Sequence, residues 1–173
     1  SITTPGGQTI LAAAKDQVYL AASQDPDLRG MLVEVNDGGD IDHAGKILAD
    51  RGNITLAALN IDQRGQLKAT TSVDANGTIR LLARDTVAAD RIAEMEVTPG
   101  NIPQQLVAGV LVADGALAGG MDGVKVAKAL EAGRVTFHEG SVTEVVPEAS
   151  NKKAADSNAQ PVSFVEVMGK TID

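Results

Sequence analysis

Cysteine is absent from this chain of 173 residues, which excludes disulfide staples, thiolate metal sites and a cysteine nucleophile. The absence leaves the redox compartment open, although a protein that crosses a membrane unfolded gains from having no thiols to crosslink. Tryptophan is absent as well, with one tyrosine and two phenylalanines, so Ile, Val, Leu and Ala must fill the interior. Such residues suit a narrow interior that stacks like on like better than a wide sandwich. The scarcity of aromatics also weighs against a carbohydrate-stacking platform. No basic excess exists: 15 Lys and Arg face 23 Asp and Glu, a net charge of −8. Phosphate backbones call for a basic stripe, so nucleic acid is not expected as a partner. No apolar run is long enough for a membrane-spanning helix, which needs about 18 residues.

What the chain has is repetition. Residues 7–13 (GQTILAA), 52–58 (GNITLAA) and 77–83 (GTIRLLA) each set a glycine before an apolar run that ends in alanine. Their spacing implies a repeat of about 20 to 25 residues, within the range of solenoids. A second signature, Gly-x-(Ile/Leu)-x-Ala, recurs at Gly45-x-Ile47-x-Ala49 and Gly65-x-Leu67-x-Ala69. One turn of a solenoid cannot bury its own apolar face, and stacking on its neighbours supplies the missing surface.

The expected fold class is therefore all-β, a solenoid of stacked strands with irregular or partly helical excursions. Ile54, Leu56, Ile79 and Leu81 should point inward at equivalent positions of two turns, and about 7 turns should give an axis of roughly 35 Å. The competing fold is an antiparallel roll or sandwich, with the repeats in hairpins. Short strands are expected at residues 10–14, 18–21, 31–35, 46–49, 54–57, 66–69 and 79–83, separated by Gly, Asp and Asn clusters. Residues 23–30 read as a polar loop that leaves the coil before Met31 resumes it, and 35–39 and 74–77 as turns.

The whole of 1–173 reads as one β-helical unit. Within it, 86–132 is an irregular or inserted region and 147–161 an exposed loop. Residues 88–95 and 124–132 have a helical flavour, the latter closed by Gly133, with a buried strand at 107–113 between them. Alternation returns over 134–146. The chain opens at Ser1 without methionine or leader and stops at Asp173 in mid strand pattern, so both ends read as cut from a longer protein.

Chemistry is sparse. His43 stands beside Asp40 and Asp42 at an expected turn, and Asp37, Asp40 and Asp42 have the look of an acidic calcium loop. The nonapeptide repeat of calcium β-rolls does not recur, so these read as solvated corner residues. His138 alternates with Phe137 and reads as an outward polar residue. Pairs such as Asp40 with Asp62 or Asp85 would suit glycoside cleavage on a β-helix. With 23 acidic residues such pairs arise by chance. No phosphate-cradling glycine loop and no nucleophile elbow is present. No catalytic, cofactor-binding or metal-binding residue is assigned, and no enzyme activity is expected.

Residues 5–14 (PGGQTILAAA), 18–21, 32–35, 52–57 and 76–85 (NGTIRLLARD) resemble the filamentous haemagglutinin family, and 140–147 and 165–169 are similar to the same group. The resemblance covers most of the chain, strongest over 1–85 and 133–173, and lies in the order and spacing of degenerate motifs. It implies a fold of right-handed parallel β-helix, and a piece of the shaft of a large Gram-negative exoprotein, secreted or held at the outer cell surface. Such proteins leave through an outer-membrane secretion partner and serve in adhesion, haemagglutination, biofilm formation or toxin display. The family's secretion domain, with its Asn-Pro-Asn motifs, has no counterpart here. A host-cell receptor or polysaccharide would be the ligand. Open ends of the coil should also let copies associate end to end.

Overall fold

The computed structural model of the chain describes residues 1–23, 27–86, 110–113, 125–130, 132–149 and 161–173. Among them every regular element is a strand, as the all-β expectation requires. The chain opens with β1 (Ile2–Thr3) and β2 (Gln8–Ala12), followed by β3 (Ala14–Ala22) and β4 (Met31–Gly38), which pair antiparallel. A first pass then runs through β5 (Asp40–His43), β6 (Lys46–Ala49) and β7 (Asn53–Ala58). A second runs through β8 (Asn60–Gln63), β9 (Gln66–Thr71) and β10 (Thr78–Ala83). After β11 (Asp85–Thr86), β12 (Val110–Ala113) and β13 (Lys125–Leu130), a third pass takes in β14 (Arg134–Phe137), β15 (Val142–Pro147) and β16 (Phe164–Met168), and β17 (Thr171–Ile172) comes last.

These passes build three four-stranded parallel sheets. Sheet I has the order β1-β6-β9-β15, sheet II β2-β7-β10-β16 and sheet III β5-β8-β14-β17, so each pass visits III, I and II in turn. The two repeated signatures occupy matching places. Ile54 pairs with Ile79 and Leu56 with Leu81 in sheet II, while Ile47 pairs with Leu67 and Ala49 with Ala69 in sheet I. Short strands with alternating branched side chains suit this pairing, because in-register neighbours put like beside like on one face. Among the described residues each sheet is four strands deep, against the expected stack of about seven. Strands β3 and β4, and β11 to β13, are spent outside the three sheets.

One core is shared by all three. Ile47, Leu67 and Ala69 reach it from sheet I, Ile54, Leu56, Ile79 and Leu81 from sheet II, and Ile61 and Val135 from sheet III, all essentially solvent-free. Glycines at the corners let the rungs approach. A Cβ on Gly52 would collide with the Gly7 carbonyl oxygen, and one on Gly65 with that of Gly45.

Several expectations need correction. The excursion expected at 23–30 is wider: Ala14–Gly38 is a hairpin, so Met31 does not resume the stack. Val33 and Val35 of β4 pack with Ala57, Leu82, Ile10 and Met168, residues of sheet II that its alternation turns away from the shared core. That outer surface needs a cover, which explains why β7 and β10 are buried on both faces. Residues 35–38 continue β4 where a turn was expected, whereas 74–77 is a corner without regular structure.

The helical reading of 124–132 is overturned for Lys125–Leu130, which is β13 and pairs antiparallel with β12 and β11. Strand partners outweigh the helix propensity of its Ala, Lys and Leu. The helical reading of 88–95 and most of the 147–161 loop lie outside the described residues; Pro147 closes β15.

Candidate functional site

A concave surface lies on the solvent side of sheet III. Along β5 the alternation sends Ile41 and His43 inward and leaves Asp40 and Asp42 exposed; β8 repeats this with Ile61 and Gln63 inward and Asn60 and Asp62 outward. The register then aligns Asp40, Asn60, Arg134 and Thr171 in one outward row, and Asp42, Asp62 and Thr136 in the next. With Leu59, Gly133 and Lys170 at the corner, the first row and Asp62 and Thr136 of the second line an open cleft of about 600 Å³.

Polar side chains on and around this face pair with one another. Asn60 Nδ2 donates to Asp40 Oδ1 at 2.7 Å, and Arg64 Nε donates to Asp42 Oδ1 at 3.0 Å. Asp62 Oδ1 lies 2.7 Å from His138 Nε2 and 3.7 Å from Arg64. Arg134 faces Asp173 at 3.6 Å. Two of the carboxylates singled out in the sequence, Asp40 and Asp62, thus share one cleft, while Asp85 sits on β11 outside it. None of the cleft's lining residues is aromatic. Exposed pairs of this kind contribute little, about 0 to 1 kcal/mol each.

His43 departs from its expected place at a solvated turn. It is buried, because its position on β5 has the inward parity of Ile41. Gln63, its in-register neighbour, is fully buried too. The two side chains meet at 2.6 Å, His43 Nδ1 to Gln63 Oε1. The amide nitrogen of Gln63 donates to the carbonyls of Gly65 and Val142, both at 3.1 Å, so its oxygen must be the acceptor. The ring proton therefore sits on Nδ1, and Nε2 has no hydrogen-bond partner. This inward geometry removes His43 from any set with Asp40 and Asp42. Asp37 is also apart, exposed at the end of β4 and 3.6 Å from Lys15. Among the described residues no group of three His, Asp or Glu side chains is arranged to hold a metal ion.

A second polar cluster, unforeseen in the sequence, lies beneath the hairpin. Arg84 follows β10 and pairs with Glu34 of β4, both almost fully buried. Arg80 Nε donates to Glu166 Oε2 at 2.5 Å on the same surface. Burial pushes the Glu34 carboxyl up to about 7, against the opposing pull of Arg84 and Arg80. The sequence signal was faint: a glutamate within an apolar strand, and arginines at 80 and 84 within and just after a run buried on both faces.

Asn76 fixes the hairpin's tip. Its Nδ2 donates to Asp27 O at 2.5 Å and to Val162 O at 2.7 Å, and it receives Arg29 Nε at 2.9 Å. The residue was legible as a corner, its reach across three segments was not. Comparison with known protein families, with curated proteins and with solved structures finds no match to this chain.

Proposed function

We propose that the three parallel sheets are the faces of a right-handed parallel β-helix, and that the chain is a structural and adhesive segment of a large secreted surface exoprotein. The observation that carries this reading is the matched stacking of both repeated signatures, rung on rung, around one aliphatic core. Stacked turns make a stiff extended scaffold, and their function is reach and surface. The resemblance of residues 1–85 and 133–173 to the filamentous haemagglutinins gives the setting: secretion to the outer cell surface through an outer-membrane partner, and contact with a host-cell receptor or polysaccharide. The hydrogen bonds that Asp40 and Asp62 already make, to Asn60 and His138, support the binding reading of the cleft.

The alternative is a β-helix enzyme that cleaves polysaccharide, favoured by the presence of Asp40 and Asp62 in one cleft. A single panel separates the two. The chain is incubated with acidic and neutral polysaccharides and with host cells, and retention is measured beside the release of reducing ends or unsaturated products. Retention without product is the expected result. Product that disappears in Asp40→Asn or Asp62→Asn would overturn the adhesive reading.

A further inference from the structure

The tip of the hairpin is held by three side-chain amides. Gln8 Nε2 donates to the Met31 carbonyl at 2.9 Å while its Oε1 accepts from Met31 N at 2.7 Å, and Asn53 Nδ2 donates to the Arg29 carbonyl. Asn76 holds the most: it is fully buried, its Nδ2 bonds the carbonyls of Asp27 and Val162, and Arg29 donates to its Oδ1 at 2.9 Å and to its main-chain carbonyl at 2.6 Å. The three differ in the residue that follows. Gln8 precedes Thr9 and Asn53 precedes Ile54, whereas Asn76 precedes Gly77, the sole Asn-Gly step in the chain.

An Asn-Gly step is a reactive pair. Glycine has no side chain to hinder approach and a permissive backbone, so its amide nitrogen can close on the asparagine Cγ. The new N–Cγ bond forms as the Cγ–Nδ2 bond breaks, and Nδ2 leaves as ammonia with the proton that Gly77 N gives up. Water then opens the cyclic imide at either carbonyl, giving aspartate or isoaspartate. In the docked state each participant is held off this path. Both ends of the Asn76 amide are engaged, and Gly77 N donates to Ser163 Oγ at 3.2 Å, which itself lies 2.9 Å from Thr71 Oγ1. Gly77 also sits so close to the Thr70 carbonyl that a Cβ would lie 2.6 Å from its oxygen.

We propose that Asn76-Gly77 is a self-modification site which the docked hairpin tip keeps latent, and that its reaction unlatches the tip irreversibly. The product cannot restore the bonds. A carboxylate at 76 only accepts, so two donations become oppositions of oxygen to the Asp27 and Val162 carbonyls. It also adds negative charge beside the Asp27 carboxylate, which accepts from Val162 N at 3.0 Å. Isoaspartate inserts a further carbon into the main chain just ahead of β10. Reaction follows opening of the tip, so its rate reads the population of the open form. The site is independent of the adhesive reading.

The test compares the full chain with a synthetic peptide of residues 72–81 in one mildly alkaline buffer, following the mass change at Asn76 by peptide mapping and isoaspartate by enzymatic methylation. The chain should react more slowly than the peptide by about tenfold or more. Gln8→Ala, which loosens the tip at Met31 without touching Asn76, and Arg29→Ala should both move the rate toward that of the peptide. Asn76→Asp should speed amide exchange at residues 27–31 while β7 and β10 stay protected. A chain that reacts as fast as the peptide would overturn the latch, as would loosened variants no faster than the parent. An Asn76→Asp chain with the parent's exchange at the tip would overturn the release.

Discussion

Glu34 and Arg84, 50 positions apart in the chain, meet carboxylate to guanidinium beneath the hairpin, with side chains 5% and 6% exposed. A buried pair of this kind is a poor source of net stability, because the desolvation of both ions offsets their attraction. Its effect is to tie the hairpin to the end of β10 and to make that attachment sensitive to protons.

Burial raises the Glu34 carboxyl from 4.5 to about 7. The folded chain thus keeps a proton that the unfolded chain has already released between these values. Stability from this group is complete below pH 4.5 and is lost as pH rises through 7. A shift of that size corresponds to about 3 kcal/mol. Urea denaturation from pH 4.5 to 8 should show the fall, and Glu34→Gln should flatten it. Parallel curves for the two proteins would refute the assignment.

Leu81→Ala should destabilise the chain by about 2 to 5 kcal/mol, since the side chain is fully buried in the core shared by the three sheets. Leu20→Ala, on the exposed side of β3, should stay within about 0.5 kcal/mol. Midpoints of chemical unfolding at constant slope measure both.

Two corner glycines should respond in opposite ways. A Cβ at Gly65 would strike the Gly45 carbonyl oxygen and come within 2.7 Å of Ala44 C and 2.8 Å of Gly45 N, all backbone. Gly65→Ala should therefore cost about 1 to 3 kcal/mol. Nothing lies within 4 Å of a Cβ at Gly45, so Gly45→Ala should be neutral or stabilising by up to about 1 kcal/mol. Thermal midpoints of the two variants make the comparison.

Gln63→Leu should cost about 1 to 3 kcal/mol, because it strands the Nδ1 proton of buried His43. Replacing both partners, His43→Leu with Gln63→Leu, should cost less than the sum of the single changes, since the orphaned Nε2 leaves as well. Strict additivity in a double-mutant cycle would mean that the two side chains do not communicate.

The repeats made sheets I and II legible, because glycine followed by an alternating apolar run states both where a strand starts and which side faces inward. Sheet III was legible only in the alternation that returns at 134, where β14 lies. Its strands β5 and β8 carry only one Ile each among Asp, Asn, His and Gln, and read as turns. The paired Ile-Asp steps at 41–42 and 61–62 were the available signal. Missing it also misplaced His43, whose inward parity follows from Ile41. The hairpin β3–β4 read as further rungs, since a strand that covers a sheet and one that belongs to it share the same alternation. Asp40 and Asp62 could be named, but only the register puts them in one cleft.

Leu59 alone carries the chain from β7 to β8, between sheets II and III. One pass earlier the hairpin β3–β4 is spliced between the same two sheets, and one pass later β11 to β13 are. The rungs on either side stay paired regardless, because each needs only its own short strands in register. Growth of such a molecule therefore has two separable routes in evolution. Duplicated rungs lengthen it, and insertions at this single junction diversify one flank without disturbing the stack.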